Sequence, residues 1–372
     1  MLWIPGPTEV RAELLAECAR PTIGHRSKHM TELIERLDPG LRLAFGLAEN
    51  SSAHVAVHSA SATAMMEGGL LGAGRRTLSI VNGAFSKRWF QIAGLLGKDA
   101  HKIDVAWGDA IDPAELRRVL TAEGPFDALT LVSNETSTGT RTPLALVADV
   151  LDDFPDTLLL VDLVSYIAGA PVDFDANRID FGFAGVQKAF ALPPGVVVMC
   201  ASDKYMGRAA AQENRGFYLD PIRIVEGHAK RKTPATPCIT LYYALARQLE
   251  DISNGVTLPA AETHKSGAEA WTARFEKHER MRDRTIAWAA SHGLEPFPKR
   301  EFVSPTVACI NAGSLDVALF VAGLAERDFQ ISNGYGDLKG KTFRIGHMGD
   351  HTEEGLEALL SAADQVLATQ PV

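Results

Sequence analysis

Between about residue 50 and residue 200 the chain alternates short apolar runs with amphipathic stretches, the pattern of strand–helix units around a mostly parallel sheet. Six runs read as strands: HVAVHS, RTLSIVNG, DALTLVSN, TLLLVDLV, DFGFAGV and GVVVMCAS. Each of the first five ends in polar or glycine-containing residues. Candidate functional residues therefore collect at strand carboxyl ends, the edge where open α/β sheets bind ligands. After GFYLDPIR the register becomes irregular; TPATPCITLYYALARQLEDI reads as a Pro/Thr loop entering a helix, and an amphipathic segment from about Leu258 to Ala290 reads as a connector. VSPTVACINA, DVALFVAGLAERD, KTFRIGHMG and EEGLEALLSAADQVLA then predict strand, helix, strand, helix. The expected organisation is a large domain over 15–255 and a smaller α/β domain built from 1–14 together with 256–372.

Two polar residues break this apolar pattern at strand ends. Lys188 ends the run in FGFAGVQKAFALPPG, just before a proline–glycine turn, and Asp162 follows Leu158–Val161 in TLLLVDLVS. Burial disfavours an ammonium and moves its pKa toward that of a usable nucleophile, as a Schiff-base lysine requires. A carboxylate beside a pyridine nitrogen keeps it protonated, so that the ring draws electrons from a carbanion. The pair, in this order, points to pyridoxal phosphate chemistry.

Other candidates are individually ambiguous. Ser61, Ala62 and Thr63 lie between a strand and an Ala/Met-rich helix, where free N–H groups either cradle a phosphate or are met by an ordinary Ser/Thr cap. Phe85, after a strand and a glycine, either packs locally or faces a flat ring. Asn134, Thr136 and Thr138 stand at another strand end, where a hydroxyl either donates to a phenolate oxygen or forms a turn. Gln187 bonds either a cofactor or the neighbouring loop. Arg344, in KTFRIGHMG, has the fork to clasp a substrate carboxylate, the usual alternative being a surface salt bridge. Arg26, beside His25, is a second cationic candidate.

Bulk properties narrow the class. The net charge of −9, from 46 acidic and 37 basic residues, comes with no basic stripe and argues against nucleic acid as a partner. Cys18, Cys200, Cys238 and Cys309 show neither CxxC spacing nor disulfide-scaffold density, which fits a reducing cytoplasm. MLWIPGPTEVRAE lacks the features of a signal peptide and no run approaches the roughly 18 apolar residues of a membrane span, so a cytoplasmic protein with no membrane partner is expected. No GxGxxG follows the first strand, which sets a nicotinamide-binding fold aside.

Taken in order, IPGPTEV, GHRSK, SASATAMMEG, VNGAFSKRW, NETSTG, LLLVDLVSYIAGAPVDFD, FAGVQKAFALPPG, TPATP and FRIGHMG resemble the class V aminotransferases of the fold-type I pyridoxal-phosphate enzymes across nearly the whole chain. The resemblance implies a mostly parallel seven-stranded-type sheet and a homodimer with shared active sites. It implies that Lys188 carries pyridoxal 5′-phosphate, Asp162 pairs with its ring nitrogen, Phe85 stacks on the ring and Thr136 meets its phenolate edge. Ser61, Ala62, Thr63 and Gln187 then hold the phosphate region, Thr233 or Thr236 reaches the partner's phosphate, and Arg344 binds the substrate carboxylate. Ala60 and Ala62 replace glycines frequent in the family, and Phe85 replaces a tryptophan of several members.

The implied reaction is ping-pong transfer of an amino group from a small donor, alanine or serine, to a 2-oxo acid such as glyoxylate or pyruvate. GHRSK keeps phosphoserine aminotransferase open as the alternative, through His25 and Arg26. A cysteine desulfurase would need Cys309 on a mobile loop, whereas VSPTVACINA reads as a strand. A non-catalytic binding subunit is the remaining alternative.

Overall fold

The computed structural model describes residues 1–369; residues 370–372, which the expected small domain includes, lie outside the described residues. The strands are β1 (His54–His58), β2 (Arg76–Val81), β3 (Asp99–Asp104), β4 (Ala128–Val132), the short hairpin β5 (Asn134–Glu135) and β6 (Thr140–Arg141), β7 (Leu158–Asp162), β8 (Phe181–Gly185), β9 (Val197–Ala201), β10 (Val307–Asn311), β11 (Ser332–Asn333) and β12 (Thr342–Gly346). Seven of them form one sheet in the order β1-β9-β8-β7-β4-β2-β3, mostly parallel, with β9 running against both of its neighbours.

All six runs read as strands are strands. The sequence reading missed β3, whose residues DAHKID are largely polar; it is an edge strand held only by β2 and half exposed, so no apolar pattern is required of it. β4, β7, β8 and β9 are buried along their whole length, as expected of strands covered on both faces.

The helices are α1 (Ala12–Cys18), α2 (Lys28–Ala44), α3 (Ala62–Gly72), α4 (Ala84–Leu95), α5 (Pro113–Glu123), α6 (Leu144–Leu151), α7 (Asp203–Ala210), α8 (Pro221–Ala229), α9 (Ile239–Ser253), α10 (Gly267–Ser291), α11 (Val317–Ala325) and α12 (Glu353–Thr369). Side chains alternate across a strand. Leu159 and Val161 of β7 thus join the core under α2, α5, α6 and α9, while Leu158 and Leu160 join the core under α3, α4, α7 and α8. Asp162 continues the second set and so points toward α3 and α4.

β10, β12 and β11 form a three-stranded antiparallel sheet. Its core, with Met281, Trp288, Phe320 and Leu359, also contains Trp3, and Leu2 bridges to Gln330. α10 is more than an amphipathic connector. Arg274, Lys277 and His278 on it are almost fully buried. Arg274 pairs with Asp350 at 2.9 Å and donates to the carbonyls of Ala168 and Ala189, fixing the backbone next to Lys188.

Candidate active site

The carboxyl ends of β4, β7 and β8 lie side by side, with Val132 opposite Asp162 and Asp162 opposite Phe183. Beyond them opens a cavity of about 280 Å³ whose walls include Ser61, Ala62, Thr63, Phe85, Asn134, Thr136, Asp162, Gln187 and Lys188. Eight residues singled out for the cofactor thus converge from five separate segments of the chain.

Asp162 sits on the floor, 5% exposed, and accepts the Val164 amide at 2.8 Å. Burial lifts its carboxyl to about 7 against that hydrogen bond. Burial also pushes Lys188 down to about 8; the Arg344 guanidinium acts in the same sense and Asp162 opposes it. The Lys188 Nζ donates to the Pro5 carbonyl.

Ser61 is the N-cap of α3, yet its side chain makes no capping hydrogen bond. Its hydroxyl and the unpaired N–H groups of the first turn therefore remain free for an anion. Phe85 is positioned by a buried carboxylate: Glu135 accepts from the Phe85 and Ser86 amides at 3.1 and 3.0 Å, at the N-terminus of α4. Gly83 precedes this turn because a Cβ there would lie 2.7 Å from Ser137 Oγ and closer still to Glu135.

Thr136 donates to Ser165 Oγ at 2.7 Å, and Ser165 in turn donates to the Asn134 carbonyl, so Thr136 presents lone pairs to the cavity in this arrangement. The Asn134 amide nitrogen bonds Ser165 and Thr306, leaving Oδ1 buried without a partner. Thr138 bonds the Glu135 carbonyl and Thr140 and serves the hairpin turn.

Arg344, on β12, is 8% exposed and has no carboxylate partner among the described residues. Nε and Nη2 donate to the Asn333 carbonyl at 3.2 and 3.1 Å, and Nη1 to the Thr136 carbonyl at 3.1 Å. A guanidinium has five N–H groups, so one on each terminal nitrogen remains, the number a bidentate carboxylate takes.

Five expected site residues do not line the cavity of this chain: Arg344, which reaches its wall only through the Thr136 carbonyl, His25, Arg26, Thr233 and Thr236. His25 and Arg26 precede α2, Arg26 being exposed with Nε 3.3 Å from His25 Nε2. Thr236 is exposed and Thr233 half-buried with Oγ1 unpartnered; their loop is tied to the start of the cradle by the Cys238 amide, which donates to Ser59 Oγ at 2.7 Å. The sequence reading in turn missed Gly6 and Pro7, which close one side of the cavity, and Arg88, whose Nη1 donates to Thr63 Oγ1 at 3.3 Å. Arg88 lies one turn from Phe85 on α4, a helical spacing that offered the only signal.

The Aminotransferase class-V family model matches residues 16–289. The chain belongs to the class V aminotransferase family. It is 32% identical to an uncharacterized aminotransferase of Methanocaldococcus jannaschii, over 99% of this chain and 92% of that protein. It is 28% identical to the L-aspartate–glyoxylate aminotransferase of Paracoccus denitrificans, over 99% and 91% of the two chains. The crystal structure of an alanine–glyoxylate aminotransferase from Nostoc sp. superposes with a TM-score of 0.87 at 28% identity, covering 98% of this chain and 94% of that one.

The protein is accordingly a pyridoxal-phosphate-dependent aminotransferase acting on amino and 2-oxo acids. The cavity fits the cofactor chemically. It offers a buried carboxylate for a ring nitrogen, an uncapped helix start for a phosphate, an aromatic face, an amine and the unpartnered Asn134 Oδ1. Cys309 is a buried residue of β10 opposite Arg344, its thiol pushed up to about 11 by burial, and has neither the mobility nor the acidity of a desulfurase nucleophile.

Proposed function

We propose that the enzyme moves the amino group of a small donor, alanine or serine, to glyoxylate or pyruvate in a ping-pong cycle, in the cytoplasm. The observation that carries this reading is the placement of Lys188, half-buried, and Asp162, buried, on one small cavity between Phe85 and the start of α3. Lys188 is the Schiff-base residue, Asp162 holds the ring nitrogen, and Phe85 covers the ring. Ser61, Ala62, Thr63 and Gln187 take the phosphate end, with Thr136 at the opposite edge of the ring.

Bound there, pyridoxal phosphate supplies an aldehyde for the amino group and a ring that accepts the electrons released at Cα. The chain does the rest. Arg344 would fix the donor carboxylate through its two free N–H groups and so orient the donor's Cα toward Lys188. Lys188 would take that proton on Nζ and return it two atoms along, on the far side of the nitrogen; an amine near neutral pKa serves both directions. The Pro5–Pro7 segment and Phe85 keep water from the reacting atoms.

The domain division at 15–255 against 1–14 plus 256–372 is proposed on the Trp3 core and the Leu2–Gln330 bridge. A homodimer is proposed in which the Thr233–Thr236 loop completes the partner's phosphate site. Glyoxylate recurs as acceptor in the names of the relatives, whereas their donors differ. Steady-state kinetics with alanine, serine and phosphoserine decide the donor. Higher kcat/KM for alanine or serine is expected; a preference for phosphoserine would replace this reading with the alternative and give His25 and Arg26 a substrate role.

A further inference from the structure

A run of planar groups leads from the cavity wall, at Arg88 and Phe85, to Arg344. Arg88 Cζ lies 4.9 Å from the Phe85 ring centre, the Phe85 and Tyr335 rings are 5.7 Å apart and tilted by 31°, and Tyr335 lies 5.5 Å from Arg344 Cζ. Tyr335 therefore joins the ring platform to the carboxylate anchor. It is held rigidly. The Asn333 carbonyl before it is gripped by Arg344, and the Gly334 amide donates to the Thr342 carbonyl at 2.7 Å. A Cβ on Gly334 would come within 2.6 Å of Thr342 Oγ1, and Gly336 has φ +57°. The phenol itself is 37% exposed.

We propose that Tyr335 is a specificity-determining residue that restricts the donor's side chain to the size of alanine's or serine's. The proposal rests on Arg344 as carboxylate anchor and Lys188 as the amine. With the donor's carboxylate at Arg344 and its nitrogen at Lys188, the side chain takes the third direction from Cα, toward the gap that Tyr335 closes against Phe85. The cavity of about 280 Å³ lies just below the roughly 300–1,000 Å³ usual for ligand sites, and under the proposed function it also holds the cofactor. Little room remains for a branched donor.

The test compares wild type, Tyr335→Phe and Tyr335→Ala in the cofactor-loaded protein. Calorimetric binding of propionate and 4-methylvalerate, the carbon skeletons of alanine and leucine, reads the site without turnover; kcat/KM for alanine and leucine reads it with turnover. In Tyr335→Ala both leucine-to-alanine ratios should rise by at least about tenfold, the scale on which a pocket discriminates a methylene, while Tyr335→Phe keeps the wild-type ratios. Unchanged ratios in Tyr335→Ala, in protein whose visible spectrum and Tm match wild type, would overturn the assignment. Tyr335-dependent carboxylate selectivity in a protein that did not transaminate would support it and count only against the proposed function.

Discussion

Lys188 donates from Nζ to the carbonyl of Pro5, a residue 183 positions earlier in the chain. The first residues form a strap over the lysine loop: the Thr8 amide donates to the Gln187 carbonyl at 3.1 Å, and Trp3 bonds both Gln330 and Gly346 of the C-terminal sheet. One end of the strap thus rests beside the reactive amine and the other belongs to the small sheet.

Gly6 makes this closeness possible. Its φ is +114° and a Cβ there would stand 2.7 Å from Lys188 Cε and Nζ. Gly6→Ala forces either the strap or the lysine aside, with backbone strain of about 1–3 kcal/mol in addition. Cofactor affinity, titrated by visible absorbance, should weaken by roughly tenfold; an unchanged affinity would show that the strap does not constrain the amine.

Asp162 yields a pH-dependent stability. Its carboxyl rises from 3.8 to about 7 in the folded, cofactor-free chain, so folding favours the protonated form, and stability is lost as pH climbs through that window. Cofactor-free Asp162→Asn should be more stable than wild type at pH 8, by a few kcal/mol, with the gap closing toward pH 4, while turnover of the cofactor-loaded variant falls. Denaturant melts across pH check this. A pH-independent gap would mean that the carboxylate is not held in a dry site.

Arg344→Gln removes the charged fork but leaves a polar side chain. Loss of a charge-assisted pair costs about 1.5–3 kcal/mol, so donor kcat/KM should fall by roughly 10- to 150-fold, mainly through KM. Arg344→Lys, which keeps charge without the fork, should resemble Arg344→Gln rather than wild type. Full activity in Arg344→Lys would argue against bidentate binding.

The sheet and the centre of the site were legible because both rest on local patterns. β7 and β8 are unbroken apolar runs, and Asp162 and Lys188 stand out only by ending them. What escaped depends on contacts distant in sequence. Arg274 and Lys277 lie on a helix that read as an amphipathic connector, yet both are buried by the chain around Ala168, Ala189 and Gly349. Glu135 was not singled out because its partners, the amides of α4, lie 49 and 50 residues away. Tyr335 sits in a glycine-rich loop with no periodicity at all.

The central claim is that Lys188 carries the cofactor. Borohydride reduction of the cofactor-saturated enzyme, followed by peptide mapping, tests it most directly. The account predicts a single phosphopyridoxyl label on the peptide containing Lys188 and none at that position in Lys188→Ala, whose turnover should drop by at least about 100-fold. A label on another lysine, with Lys188 unmodified, would contradict it.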